Sequence, residues 1–115
     1  MTNTNADIAV EVLGERHRQD ERWGQQDHPD GTGPATVITL IPAVAGATRA
    51  DNLRTWATAR CDRAAHVGDI TWEHIFLEEV FEALAEDDEV KLRAELIQVA
   101  AVAQAWVSAI DRRAA

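Results

Sequence analysis

Leu92, Leu96, Val99, Ala103, Trp106 and Ile110 recur at spacings of four and three across the last third of the chain. That spacing keeps them in one narrow seam on a helix, and a seam must be covered by another helix. A helix over about Asp88–Arg112 is therefore expected. Phe76, Leu77, Val80, Phe81 and Leu84 form a second helix-periodic set. Thr71 is placed to cap it, and Trp72 and Glu73 open it. Pro and Gly fall mostly outside this region, and Ala and Leu are frequent, a composition that favours helices over strands.

Upstream the signals are mixed. Asp7 to Trp23 reads as a first helix stopped by Gly24. Gly14 inside it suggests close packing, since glycine there costs about 1 kcal/mol against alanine. Gln25 to Pro34 carries turn chemistry in His28-Pro29-Asp30-Gly31 and Gly33-Pro34. Thr36 to Ile41 is β-branched and suits a short extended piece. A further helix is expected from about Pro42 to His66, with a break near Asp51-Asn52 and a stop at Gly68. The expectation is an all-α single domain, residues 1–115, of about four helices. Ile97, Val102 and Val107 lie off the seam, and apolar surface of that kind suggests a contact with another subunit.

The chain has 115 residues, 46% hydrophobic and 27% charged, with a formal net charge of −9. An acidic surface argues against nucleic acid polymers and anionic lipid as partners. A nucleotide substrate is still allowed, because a metal ion can supply the positive charge its phosphates need. Cys61, the one cysteine, reads as a small apolar helix residue. The polar start, Met1-Thr2-Asn3-Thr4-Asn5, does not resemble a signal peptide, and the Val99–Val107 run is too short to span a bilayer. A soluble, cytoplasmic protein is the expectation.

The chemistry concentrates in Glu78-Glu79-Val80-Phe81-Glu82 and Glu95-Leu96-Ile97-Gln98. Oxygen donors three residues apart share a helix face. Glu79, Glu82 and Glu86 should lie together on the third helix, roughly opposite Leu77, Val80 and Leu84. Two readings are open. The face is a solvated acidic surface, or two adjacent helices gather carboxylates around a divalent cation. Glu95 favours the second, since it flanks the seam of the fourth helix, where an unpaired carboxylate is costly. Hard oxygen donors suit Mg²⁺.

These segments resemble the E-E-x-x-E … E-x-x-D signature of the MazG-like all-α nucleoside triphosphate pyrophosphohydrolases. The resemblance spans roughly Thr71 to Ile110. Upstream, Glu15-Arg16-His17-Arg18-Gln19-Asp20-Glu21-Arg22-Trp23-Gly24-Gln25-Gln26 looks like the opening of phage and actinobacterial members. The resemblance implies a helical bundle completed by oligomerisation, a homodimer or dimer of dimers. It implies a hydrolase that converts a (deoxy)nucleoside triphosphate to the monophosphate and pyrophosphate with Mg²⁺, or Mn²⁺ in its place. Matched position by position, Glu79, Glu82 and Glu95 correspond to metal ligands, with Gln98 where the family usually has Asp. Glu78 matches the leading acid, a ligand or a water-orienting base, and Glu82 shares that catalytic role. Gln98 removes one charge: an amide oxygen ligates Mg²⁺ more weakly, Glu86 or Glu78 compensates, or the fold persists without catalysis.

Trp23, Gln26 and His28 read as a base pocket, and Arg16 as a phosphate contact; the plainer reading pairs the arginines with nearby acids. Two further readings compete: a non-catalytic helical oligomer that binds nucleotide or a protein partner, and a helical interaction module with solubilising glutamates.

Overall fold

A computed structural model describes residues 4–30, 32–38 and 48–114. Four helices carry it: α1 (Asn5–Trp23), α2 (Ala50–Val67), α3 (Trp72–Leu84) and α4 (Glu89–Ala114). The strand content among the described residues is a two-residue antiparallel pair, β1 (Val37–Ile38) with β2 (Thr48–Arg49), in which Val37 pairs with Arg49 and Ile38 with Thr48. The fold class is all-α. No helix among the described residues is long and apolar enough to cross a membrane.

The chain divides into two compact units, Met1–Asp30 with Ala103–Ala115, and Gly31–Val102. In the first, Thr4 caps α1. Its hydroxyl accepts from the Asp7 amide, and the Asp7 carboxylate accepts from the Thr4 amide. Those bonds hold the Asp7 carboxyl below its ordinary range. Gly24, at φ 68°, ends the helix as its sequence position suggests, its N–H donating to the Asp20 carbonyl at 2.8 Å. Ile8 is the buried anchor of α1, 2% exposed. Gly14 is not a close-packing site: a Cβ there would meet only the tip of Arg18, at 3.6 Å.

In the second unit α2 and α3 form the core. Leu53, Ala57 and Phe81 are buried together, with Leu77 and Leu84 packed against them. The two helices run in opposite directions: Leu53, early in α2, meets Phe81, late in α3, while Arg60 reaches Glu73 in the first turn of α3 through a two-pronged ion pair. Gly68, left-handed at φ 79°, stops α2, and Thr71 caps α3, both as expected. The start of α2 departs from expectation. The helix begins at Ala50 and runs unbroken through Asp51 and Asn52. Its first amides are satisfied from elsewhere, Ala50 N–H by the Thr36 carbonyl (2.8 Å) and Asp51 N–H by the Pro34 carbonyl (3.0 Å). The expected start at Pro42 lies outside the described residues, as does the rest of the extended piece beyond Ile38.

The 32–34 loop is tied to the end of α3. Gly33 N–H donates to the Leu84 carbonyl (3.0 Å), and the Thr32 hydroxyl donates to the Glu86 carbonyl (2.6 Å). Gly33 sits at φ 136°, and a side chain there would also crowd Thr36 Oγ1 at 3.3 Å.

Candidate metal centre

Local chemistry fixes where the acids fall. The Thr71 hydroxyl accepts from the His74 amide, and His74 Nδ1 accepts from the Thr71 amide, closing a capping box. With Leu77, Phe81 and Leu84 turned to the α2 side, the next stripe round α3 carries Glu78, Glu79 and Glu82. At the other helix, the Asp88 carboxylate accepts from the Lys91 amide at 2.9 Å and so caps α4. Leu92 is buried one turn in, and Glu95 follows it by three residues.

Glu79, Glu82 and Glu95 meet. Each offers one carboxylate oxygen, and these oxygens lie within 4.8 Å of one another, all three residues half-buried. The Oε2 atoms of Glu78, Glu79 and Glu95 are buried and have no hydrogen-bond partner. Buried carboxylate oxygens without donors are costly, and structures rarely leave them so. The electrostatics follow from this crowding. Burial, then the charges of Glu79, Glu95 and Glu78, then a hydrogen bond with Glu95 push the Glu82 carboxyl up to about 7. Glu79 is raised too, by burial first and then by Glu95 and Glu78. Near neutral pH a proton thus helps to hold Glu82 beside Glu95. A divalent cation would do the same with more charge, displacing that proton. The donor set is all oxygen, which fits Mg²⁺ or Mn²⁺ rather than a soft metal.

The other expected site residues divide. Glu78 borders the cluster without joining the three, and its Oε2 is buried without a hydrogen-bond partner. Gln98 lies one turn beyond Glu95 on the same side of α4 and is exposed. Glu86 does not share the face of Glu79 and Glu82. Helix α3 stops at Leu84, and Glu86 Oε1 instead accepts from the amides of Asp87 (3.2 Å) and Asp88 (3.1 Å) in the turn before α4. It is committed to that turn and does not replace the charge missing at Gln98.

Arg16, Gln26 and His28 do come together, with Gln19, Asp20, Gly24 and Gln25, around a polar cavity of about 680 Å³ at the end of α1. Trp23 does not line it. That ring is 59% exposed, with the Arg22 guanidinium 4.7 Å above it. Arg16 donates to Gln19 (2.7 Å) and Asp20 (2.9 Å), and Arg18 pairs with Glu15 (2.8 Å). The plainer reading of these arginines, pairing with neighbouring acids, describes both. The cavity belongs to the first unit and the carboxylates to the second.

Sequence reasoning read Cys61 as a small apolar helix residue. Its spacing from Leu53, Ala57 and Ala64 does mark it as buried, and it is, at 9% exposure. Burial and the adjacent Glu78 carboxylate push the thiol up to about 11, so it stays protonated. A search of family models, of curated proteins and of solved structures returns no match to this chain.

Proposed function

We propose that the chain is a Mg²⁺-dependent nucleotide pyrophosphohydrolase that cleaves a (deoxy)nucleoside triphosphate to the monophosphate and pyrophosphate. One observation carries the reading: Glu79, Glu82 and Glu95 bring oxygens within 4.8 Å of one another, and Oε2 atoms of Glu79 and Glu95 are buried with no donor to satisfy them. That is an arrangement a hard divalent cation would complete. The resemblance of the two glutamate motifs to the MazG-like family supplies the reaction class.

In this reading Glu79, Glu82 and Glu95 hold the cation, with Gln98 as a weaker oxygen donor at the exposed rim. Bound there, the cation would neutralise triphosphate oxygens and acidify a water. Glu78 is outside the three and keeps a free buried oxygen, so it is the residue to orient the attacking water or take its proton. Glu82 would give up its own proton on holding the cation. Arg16, Gln26 and His28 offer a polar cavity in which amide and imidazole groups can read a base, and Trp23 offers an exposed ring for stacking. Leu96, Ile97, Val107 and Ile110 of α4 are 40–57% exposed. Covering them in a homodimer, or dimer of dimers, would complete the bundle.

The test is incubation of purified protein with a panel of NTPs and dNTPs in Mg²⁺ or Mn²⁺, scoring pyrophosphate and monophosphate. Metal-dependent release with at least one substrate is expected. No release with any substrate in either metal contradicts the assignment. Stabilisation by nucleotide without turnover would favour a non-catalytic oligomer of this fold, consistent with the exposed Gln98.

A further inference from the structure

We propose that the cleft between α2 and α3 bounded by Leu53, Trp56, Leu77 and Phe81, with Asn52 at its rim, seats the base of the nucleotide whose phosphates the carboxylates would serve. The proposal rests on the pyrophosphohydrolase reading and names where that substrate's base goes. These residues line a cavity of about 580 Å³, a size usual for a small-molecule site. Leu53 and Phe81 are buried and form its floor, while Trp56 is 50% exposed and forms an open wall. The Trp56 and Phe81 rings meet edge to face, with 6.4 Å between centroids and 66° between planes. The Arg60 guanidinium lies over the Trp56 ring, 5.3 Å from its centroid, and the ion pair with Glu73 holds it there. Arg60 is one turn beyond Trp56 and outside the cavity, whereas Asn52 is one turn before it and lines the cavity. The indole is thus braced from the side away from a ligand.

Such a lining selects its ligand. Leucine and aromatic surface suits the flat, apolar faces of a ring and offers nothing to a phosphate or a sugar hydroxyl. A nucleobase has two such faces and carries its polar atoms on its edge. With its faces against these side chains, its edge reaches the rim, where the Asn52 amide offers both a donor and an acceptor. Placement points to the same ligand. Leu77 and Phe81 each precede a glutamate of α3, Glu78 and Glu82, and the cavity and the carboxylates belong to one compact unit. Neighbouring residues are about 100° apart round a helix, and a helix with its side chains is about 10–12 Å across. An extended nucleoside triphosphate can therefore reach from one flank of α3 to the next. The polar cavity at the end of α1 shares neither helix nor unit with the carboxylates.

The losses should fall on binding. Trp56→Ala should raise KM for the nucleotide cleaved best by about fivefold to a hundredfold, the worth of one base stacked on an aromatic ring, with kcat and the half-saturating Mg²⁺ concentration within about threefold of wild type. Trp56→Phe, which keeps a ring, should recover most of that loss. Asn52→Ala, at an exposed position, should change the ranking of the bases. Leu77→Trp, which fills the cavity and keeps the indole, should raise KM as Trp56→Ala does, so the test stands even where Trp56→Ala does not fold. A second readout needs neither metal nor turnover: ligand-observed NMR of the four common deoxynucleosides with the protein in EDTA. At least one should bind wild type, Trp56→Phe and Glu79→Gln, and fail to bind Trp56→Ala and Leu77→Trp. Absence of deoxynucleoside binding by wild type, binding untouched in both cavity variants, or binding lost instead in Gln26→Ala or His28→Ala would each overturn the proposal. A wild type that binds a deoxynucleoside and cleaves no nucleotide would overturn the function, whereas an active wild type with KM unmoved in these variants would overturn this proposal alone.

Discussion

Glu82→Gln should make the metal-free protein more stable at alkaline pH. In the fold Glu82 is raised from an ordinary 4.5 to about 7, by burial first and then by Glu79, Glu95 and Glu78. The folded chain therefore keeps a proton that the unfolded chain has already released. The stabilisation tied to that proton is complete below about pH 4.5 and is lost as pH rises through about 7. At roughly 1.4 kcal/mol per pH unit of displacement, the loss approaches about 3 kcal/mol. An independent check agrees in scale. Two unit charges no more than 4.8 Å apart at an effective dielectric constant of about 20 repel by at least roughly 3.5 kcal/mol. Glutamine is neutral throughout and can still hydrogen-bond Glu95. At pH 8 in EDTA the variant should exceed wild type by about 2–3 kcal/mol, a rise in Tm on the order of 10 °C. At pH 4 the two should melt together. Calorimetry or circular dichroism across this range decides it, and added Mg²⁺ should stabilise wild type far more than the variant. An equal Tm at pH 8, or an advantage that persists at pH 4, would refute the argument from crowded carboxylates.

Glu79→Gln should abolish metal-dependent turnover while leaving the helical circular dichroism signal intact; retained turnover would mean the site is elsewhere. Gln98→Asp should lower the half-saturating Mg²⁺ concentration severalfold, since a carboxylate ligates a hard cation better than an amide; an unchanged requirement would remove position 98 from the ligand set. Thr71→Ala deletes the capping box at the start of α3 and should cost about 1 kcal/mol in denaturant unfolding.

What the sequence made legible were features governed by one or two neighbouring residues. Gly24 and Gly68 end their helices because each takes a positive φ, 68° and 79°, at little steric cost. Thr71 starts α3 because its hydroxyl and His74 satisfy each other's amides. Glu79 and Glu82 share a face because they are three apart, and the position of Glu95 beside Leu92 implied its half-burial. The features that were not legible depend on distant backbone. The start of α2 is set by carbonyls of Pro34 and Thr36, reached only once the chain folds back through the β1–β2 pair. Glu86 falls out of the acidic face because α3 ends two residues before it and the next amides, Asp87 and Asp88, claim its carboxylate. The pairing of Arg60 with Glu73 depends on the register between α2 and α3, which helix periodicity leaves undetermined. Trp23, grouped by proximity in sequence with Gln26 and His28, turns away from their cavity beneath Arg22.

The claim on which the rest depends is that Glu79, Glu82 and Glu95 together hold a divalent cation. Titrating Mg²⁺ and Mn²⁺ into metal-free protein by calorimetry, with the released protons measured in two buffers, tests it most directly. Saturable binding with proton release near pH 7, lost in both Glu79→Gln and Glu95→Gln, is the result expected. Absence of saturable binding, or binding that survives both substitutions, would contradict it.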